Sequence, residues 1–187
     1  MATARTPRRA WVEAGLHALG EGGPDAVRVE SLARTLGVTK GGFYGYFTDR
    51  TELLTEVLDL WEQRTTVDAL EQVEREGGDA VVRSRRAADL TFAPELLPVD
   101  LAVRDWARRE PAVAERLQRV DNQRMAYLRS QFRERFRDPE ELEARCLLAF
   151  AVAIATDLIA AEHPHRSRAE VLGRATRLLF ARPPSPG

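Results

Sequence analysis

Residues 29–47 read VESLARTLGVTKGGFYGYF, and no other stretch restricts the fold as tightly. Leu32, Ala33 and Leu36 recur at helical spacing. Gly37 stops that pattern, as a residue tolerant of positive φ commonly does after a helix. Val38, Phe43 and Phe47 resume apolar positions beyond it. Two helices crossing near a right angle need a small residue at their contact and a permissive turn residue, and Ala33 and Gly37 supply them. The spacing predicts a helix-turn-helix whose second helix is locked by its apolar positions, leaving its outer face free to enter a major groove. That second helix is made of poor helix formers, since each interior glycine costs about 1 kcal/mol relative to Ala. The glycines make sense at a docking surface. Gly41 and Gly42 let the backbone approach DNA, Thr39 is the expected N-cap, and Phe43 and Phe47 fasten the helix to its support.

Helical periodicity covers nearly all of the chain, with no period-two strand pattern and no internal repeat. The class is all-α, with about nine helices. Pro7 to Leu19 is the first, with Trp11, Val12, Gly15, Leu16 and Leu19 as its apolar stripe. A longer helix starts near Asp49, buries Leu53, Leu54, Val57, Leu58 and Trp61, and extends to about Glu76. Further helices are expected over 80–92, 99–109, 111–136, 138–161 and 167–181. The natural division falls at Thr48: residues 1–48 form a three-helix DNA-binding domain, and residues 49–187 a helical ligand-binding and dimerisation domain.

Charge restricts function less than its placement does. The net charge is −1, so no global basic field announces nucleic acid. Residues 1–9 nevertheless carry Arg5, Arg8 and Arg9 without an acid, the makeup of a solvated tail or of an arm that follows a DNA backbone. Lys40 is the sole lysine and falls inside the helix-turn-helix. Cys146 is the sole cysteine, which excludes an internal disulfide, fits a reducing cytoplasm and, within an apolar run, reads as a small buried hydrophobe. No signal peptide or membrane span is expected, because the longest apolar run, Cys146 to Ala155, is too short. His163 and His165 beside Glu162 have metal-compatible spacing, but a loop of solvated histidines around Pro164 is the simpler reading, and no metal or cofactor is expected. Enzyme motifs are missing: GVTKGG lacks the ending of a phosphate loop, and neither G-x-S-x-G nor H-E-x-x-H occurs.

The stretch VTKGGFYGYFTDRTELL resembles the TetR (tetracycline-repressor-like) family of bacterial transcriptional regulators, over about residues 8–54. The resemblance implies roles. Thr39 and Lys40 open the recognition helix, Tyr44 reaches a phosphate, and Phe47 is core. Arg50 is a basic residue facing the DNA backbone at the next helix's start. Arg28 stands where many members have Thr at the entry to the second helix, and Tyr46 where His is common. Arg, hydroxyls and phenols are ordinary phosphate partners, so the residue types agree. Base reading is thinner, because Lys40 is the one typical direct reader on this helix.

The family's larger domain dimerises and binds a small effector, which implies a repressor that binds a palindromic double-stranded DNA operator as a homodimer. The chain offers means for both. Residues 142–160 are apolar nearly all round, and Val171, Leu172, Ala175, Leu178 and Leu179 follow on the last helix, material for a four-helix interface or simply for one core. Trp61, Trp106, Arg124, Tyr127 and Asp157 are the candidate effector contacts, each also readable as core or as paired or solvated surface. The competing reading is a dimeric helical ligand-binding or interaction module without operator-specific DNA binding.

Overall fold

A computed structural model describes residues 7–155 and 158–181. The expectations placed on Arg5 and Asp157 lie outside those residues. Every regular element described is helical. In order they are α1 (Arg8–Gly22), a 3-10 turn (Pro24–Ala26), α2 (Val29–Thr35), α3 (Lys40–Phe43) and α4 (Arg50–Glu62). A π-helical turn (Gln63–Asp68) joins α4 to α5 (Ala69–Glu76). Then come α6 (Ala80–Thr91), α7 (Leu97–Ala107), α8 (Pro111–Phe132), α9 (Pro139–Ala155) and α10 (Arg168–Phe180). The single helix expected from Asp49 to Glu76 is therefore one continuous helical run with a wider turn inside it. Several ends fall earlier than periodicity suggests: α7 stops at Ala107 and α8 at Phe132.

Packing divides the chain into two compact units. The first runs to Glu71 and takes in Thr91–Val120; the second comprises Gln72–Leu90 and the chain from Asp121 onward. In the first, α1 lies against both α4 and α7. Its core joins Trp11, Leu16 and Leu19 of α1 to Leu53, Val57 and Trp61 of α4 and to Val99 and Val103 of α7. Gly15 shows how closely α1 and α4 approach, since a Cβ there would sit 2.7 Å from Val57 Cγ2. One buried polar group is fully used: the Trp61 indole N–H donates to Asp100 at 3.2 Å, and Arg104 pairs with the same carboxylate at 2.8 Å.

The second unit gathers Phe132, Phe136, Cys146 and Phe180, with Val81, Leu128 and Leu142 packed on them. Its last helix is well ended. Ser167 and Glu170 form a reciprocal capping box at the start of α10. Arg145 donates to the carbonyls of Leu178 and Leu179, and Arg135 to that of Phe180, where cations suit a helix C-terminus. Of the apolar segment 142–160, read as material for an interface or for one core, the described residues are largely uncovered. Only Cys146 of α9 is buried, while Leu147 is 61% and Leu148 53% exposed, and Leu178 of α10 is 56% exposed.

Candidate nucleic-acid interface

The turn between α2 and α3 forms as its residues require. Gly37 has φ 67°, the left-handed conformation that costs a side-chain-bearing residue most. The Val38 N–H donates to the Ala33 carbonyl at 2.9 Å and the Gly37 N–H to that of Arg34 at 3.1 Å, which together form a Schellman motif. α3 is a single helical turn, Lys40–Phe43, followed by looser turns to Tyr46. Thr39 occupies its N-cap position with extended backbone, but its side chain makes no capping hydrogen bond, contrary to expectation. So short and glycine-rich a helix is held by what lies beneath it. Phe43 and Phe47 are buried and stacked at 5.0 Å, and Trp11 of α1 meets Phe43 edge-on at 5.4 Å.

Above that support the polar residues are exposed. Thr39, Lys40, Gly41, Gly42 and Arg28 face solvent, and Tyr44 is 57% exposed. Tyr46 is half-buried, and its carbonyl accepts a hydrogen bond from Arg8. Lys40 Nζ lies 2.5 Å from Glu30 Oε1 in the first turn of α2, and the pairing lowers the Glu30 pKa and raises that of Lys40. Arg28 also lowers the pKa of Glu30, and Tyr44 raises that of Lys40.

Arg50 sits at the start of α4, where its Nε donates to the Val27 carbonyl at 2.7 Å and a second nitrogen to that of Pro24. Arg28 Nε donates to the carbonyl of Asp25 at 2.9 Å. Both guanidiniums are thus fixed on the same 3-10 turn, each with donors to spare among its five N–H groups. The fold brings Arg28 and Arg50 together at that turn, and Lys40 and Tyr44 together at the two ends of the one-turn α3, Tyr44 as its C-cap.

Arg8 does not behave as part of a basic arm. Its Nε donates to both oxygens of Glu56, at 3.0 and 3.1 Å, and another nitrogen reaches Glu52. Its guanidinium carbon lies 4.2 Å above the Phe47 ring. This clamp ties α1, α4 and the segment after α3 within the first unit. Sequence reading missed it, although Glu52 and Glu56, one turn apart on α4, mark a face ready for a cation. Glu52 also accepts from the Thr48 N–H at 2.7 Å and the Thr48 hydroxyl at 2.9 Å. The Thr48 amide first, then Arg8 and the hydroxyl, hold the Glu52 carboxyl down from 4.5 to about 2. A carboxyl whose pKa is depressed on folding contributes stability above its unfolded value and loses it as pH falls through the folded one. Between about pH 5 and pH 2, the melting temperature of the protein should therefore fall more steeply than that of Glu52→Gln; equal slopes would show that these bonds contribute nothing.

The effector candidates are less concentrated. Trp61 is fully buried with its N–H on Asp100, and Trp106 is half-buried against the same core, both in the first unit. Arg124 and Tyr127 belong to the second unit. There Arg124 is buried and paired with Asp121 at 3.4 Å, and the Tyr127 hydroxyl donates to Glu74 at 2.8 Å. Burial first, then that bond, raises the Tyr127 pKa. Among the described residues no group of three or more His, Cys, Asp or Glu is placed to hold a metal ion, and no helix is long and apolar enough to cross a membrane.

Residues 12–57 match the family model described as bacterial regulatory proteins, tetR family. No curated protein matches the chain significantly. Among solved structures, the chain is similar to a transcriptional regulator from Rhodococcus sp. Rha1, at 22% identity and a TM-score of 0.71 over 94% of each chain. It is also similar to the transcriptional regulator FadR from Bacillus subtilis, solved with stearoyl-CoA, at 15% identity and a TM-score of 0.66 over 94% of this chain and 98% of that one. AibR, solved with isovaleryl coenzyme A and operator DNA, gives 12% identity and a TM-score of 0.65 over 92% and 97%. At such identities the structural likeness is one of fold.

Proposed function

We propose that the chain, whose residues 12–57 match the tetR family of bacterial regulatory proteins, is a cytoplasmic, ligand-responsive repressor that binds a palindromic operator as a homodimer. One observation carries the DNA-binding reading. A one-turn helix of exposed Thr39, Lys40, Gly41 and Gly42 is anchored from below by Phe43, Phe47 and Trp11, which is how a surface is built to meet a groove. Arg28, Tyr44 and Arg50 would contact phosphates beside it, and Tyr46 would act through its half-buried ring. Lys40 would read bases.

Residues 1–48 carry this role and residues 49–187 carry dimerisation and effector binding, a division of labour that runs through the first packing unit. The uncovered apolar residues of α9 and α10 supply the reason for a dimer, since a lone chain would leave Leu147, Leu148 and Leu178 in water. A two-fold dimer sets two recognition helices about 34–36 Å apart, one helical turn of DNA. Arg124 and Tyr127 remain the candidate effector contacts with Asp157, while Trp61 and Trp106 line the first unit's core. The coenzyme A thioesters bound by FadR and AibR make acyl-CoA the first effector class to try. The effector acts by preferring the state that releases DNA, and the affinity lost equals that preference.

The decisive experiment is a gel shift on DNA from upstream of the chain's own gene. A discrete complex at low salt, weakened by added salt and released by an acyl-CoA, is expected. No retardation at low salt would sink the regulator reading in favour of a helical module that does not bind DNA.

A further inference from the structure

The single lysine of the recognition helix does not stand alone. Glu30, ten residues earlier and one helix back, holds Lys40 Nζ at 2.5 Å, and both side chains are more than half exposed. A carboxylate on a face that must approach phosphates weakens binding to all DNA. The same carboxylate beside an ammonium offers an acceptor next to three donors. The major-groove edge of a G·C pair presents the complementary set: the acceptors N7 and O6 on guanine, then the N4–H donor on cytosine.

On the DNA-binding reading above, we propose that Glu30 and Lys40 form one composite base reader for a G·C pair, Lys40 donating to guanine N7 and O6 and Glu30 accepting from cytosine N4. An A·T edge alternates acceptor, donor and acceptor and adds the thymine methyl, so it leaves Lys40 with one neighbouring acceptor. The pair is neutral overall, so it gains little from phosphates, and what it adds depends on sequence. Glu30 thereby becomes a specificity-determining residue that lowers affinity for every wrong sequence.

Selection from a randomised duplex pool by the full chain tests this. The wild-type protein should enrich an inverted repeat with G·C at one position in each half-site. Glu30→Ala and Lys40→Ala should each erase the preference at that same position and leave the others. Glu30→Ala should also bind non-selected duplex more tightly, shrinking the ratio of selected to non-selected affinity roughly ten-fold. Unchanged melting temperatures would show that both variants are folded, as exposed side chains allow. The proposal is overturned if Glu30→Ala keeps every base preference, if the two substitutions flatten different positions, or if the affected position is A·T. A wild-type protein that enriches no motif and shifts no DNA would instead defeat the DNA-binding reading itself, and the paired reader with it.

Discussion

Phe43→Ala should lower the melting temperature by about 10 °C and abolish operator binding. Phe43 is fully buried, touches Trp11 edge-on and stacks on Phe47. Truncating such a ring removes its transfer free energy and leaves a cavity, at about 3–5 kcal/mol. Each kcal/mol moves the midpoint by about 2–4 °C in a chain of this size. The loss falls where the fold has least in reserve. α3 is one turn long with two glycines among its four residues, so its position comes from packing rather than propensity. Tyr44→Ala is the contrast, since that ring is largely exposed. It should leave the melting temperature nearly unchanged and weaken binding to all sequences alike, as loss of a phosphate contact does. Calorimetry with gel shifts separates the two effects. A Phe43→Ala protein that melts with wild type would show that α3 is not held from beneath.

The double variant Leu147→Glu, Leu178→Glu should sediment as a monomer and bind the palindromic operator roughly a hundred-fold or more weakly, while each unit keeps its helicity. Both leucines are more than half exposed in the single chain, so placing carboxylates there costs the monomer's fold little. Across a dimer interface the same carboxylates would be desolvated against apolar partners, and like charges would face each other across the two-fold axis. Losing the second half-site removes the effective concentration that makes bivalent binding strong, a factor of about 10²–10⁴. Analytical ultracentrifugation decides it: a variant with wild-type mass would place the interface elsewhere.

The recognition element was legible in the sequence because its requirements are local. Gly37, Ala33 and the apolar positions around them dictate the turn within twenty residues, and the Schellman bonds of Val38 and Gly37 are what that pattern asks for. Helix existence was legible almost throughout, for the same reason. The wide turn at Gln63–Asp68 was not, because Thr65 and Thr66 are buried there and local periodicity cannot say which polar residues a core will admit. Nor was the joining of Val99, Val103, Val113 and Val120 to the core built on Trp11, since pairing of distant helices leaves no local trace. In the candidate site the exposed residues were legible as types and their partners were not. Arg8 read as part of a solvated tail or a basic arm, and its partners Glu52 and Glu56 lie more than forty residues away in the chain. Lys40 looked like an unencumbered reader until Glu30 was found against it.

The one thiol has a practical meaning of its own. Cys146 is fully buried in the second unit, and desolvation pushes its pKa up to about 11. Because only the thiolate reacts, roughly one molecule in a thousand is competent at pH 8 even before access is considered. The native chain therefore carries a built-in clock. The rate at which a thiol reagent labels it reports how often the second unit opens, with no other cysteine to confuse the signal. An effector that tightens that unit would slow the clock without any probe being attached.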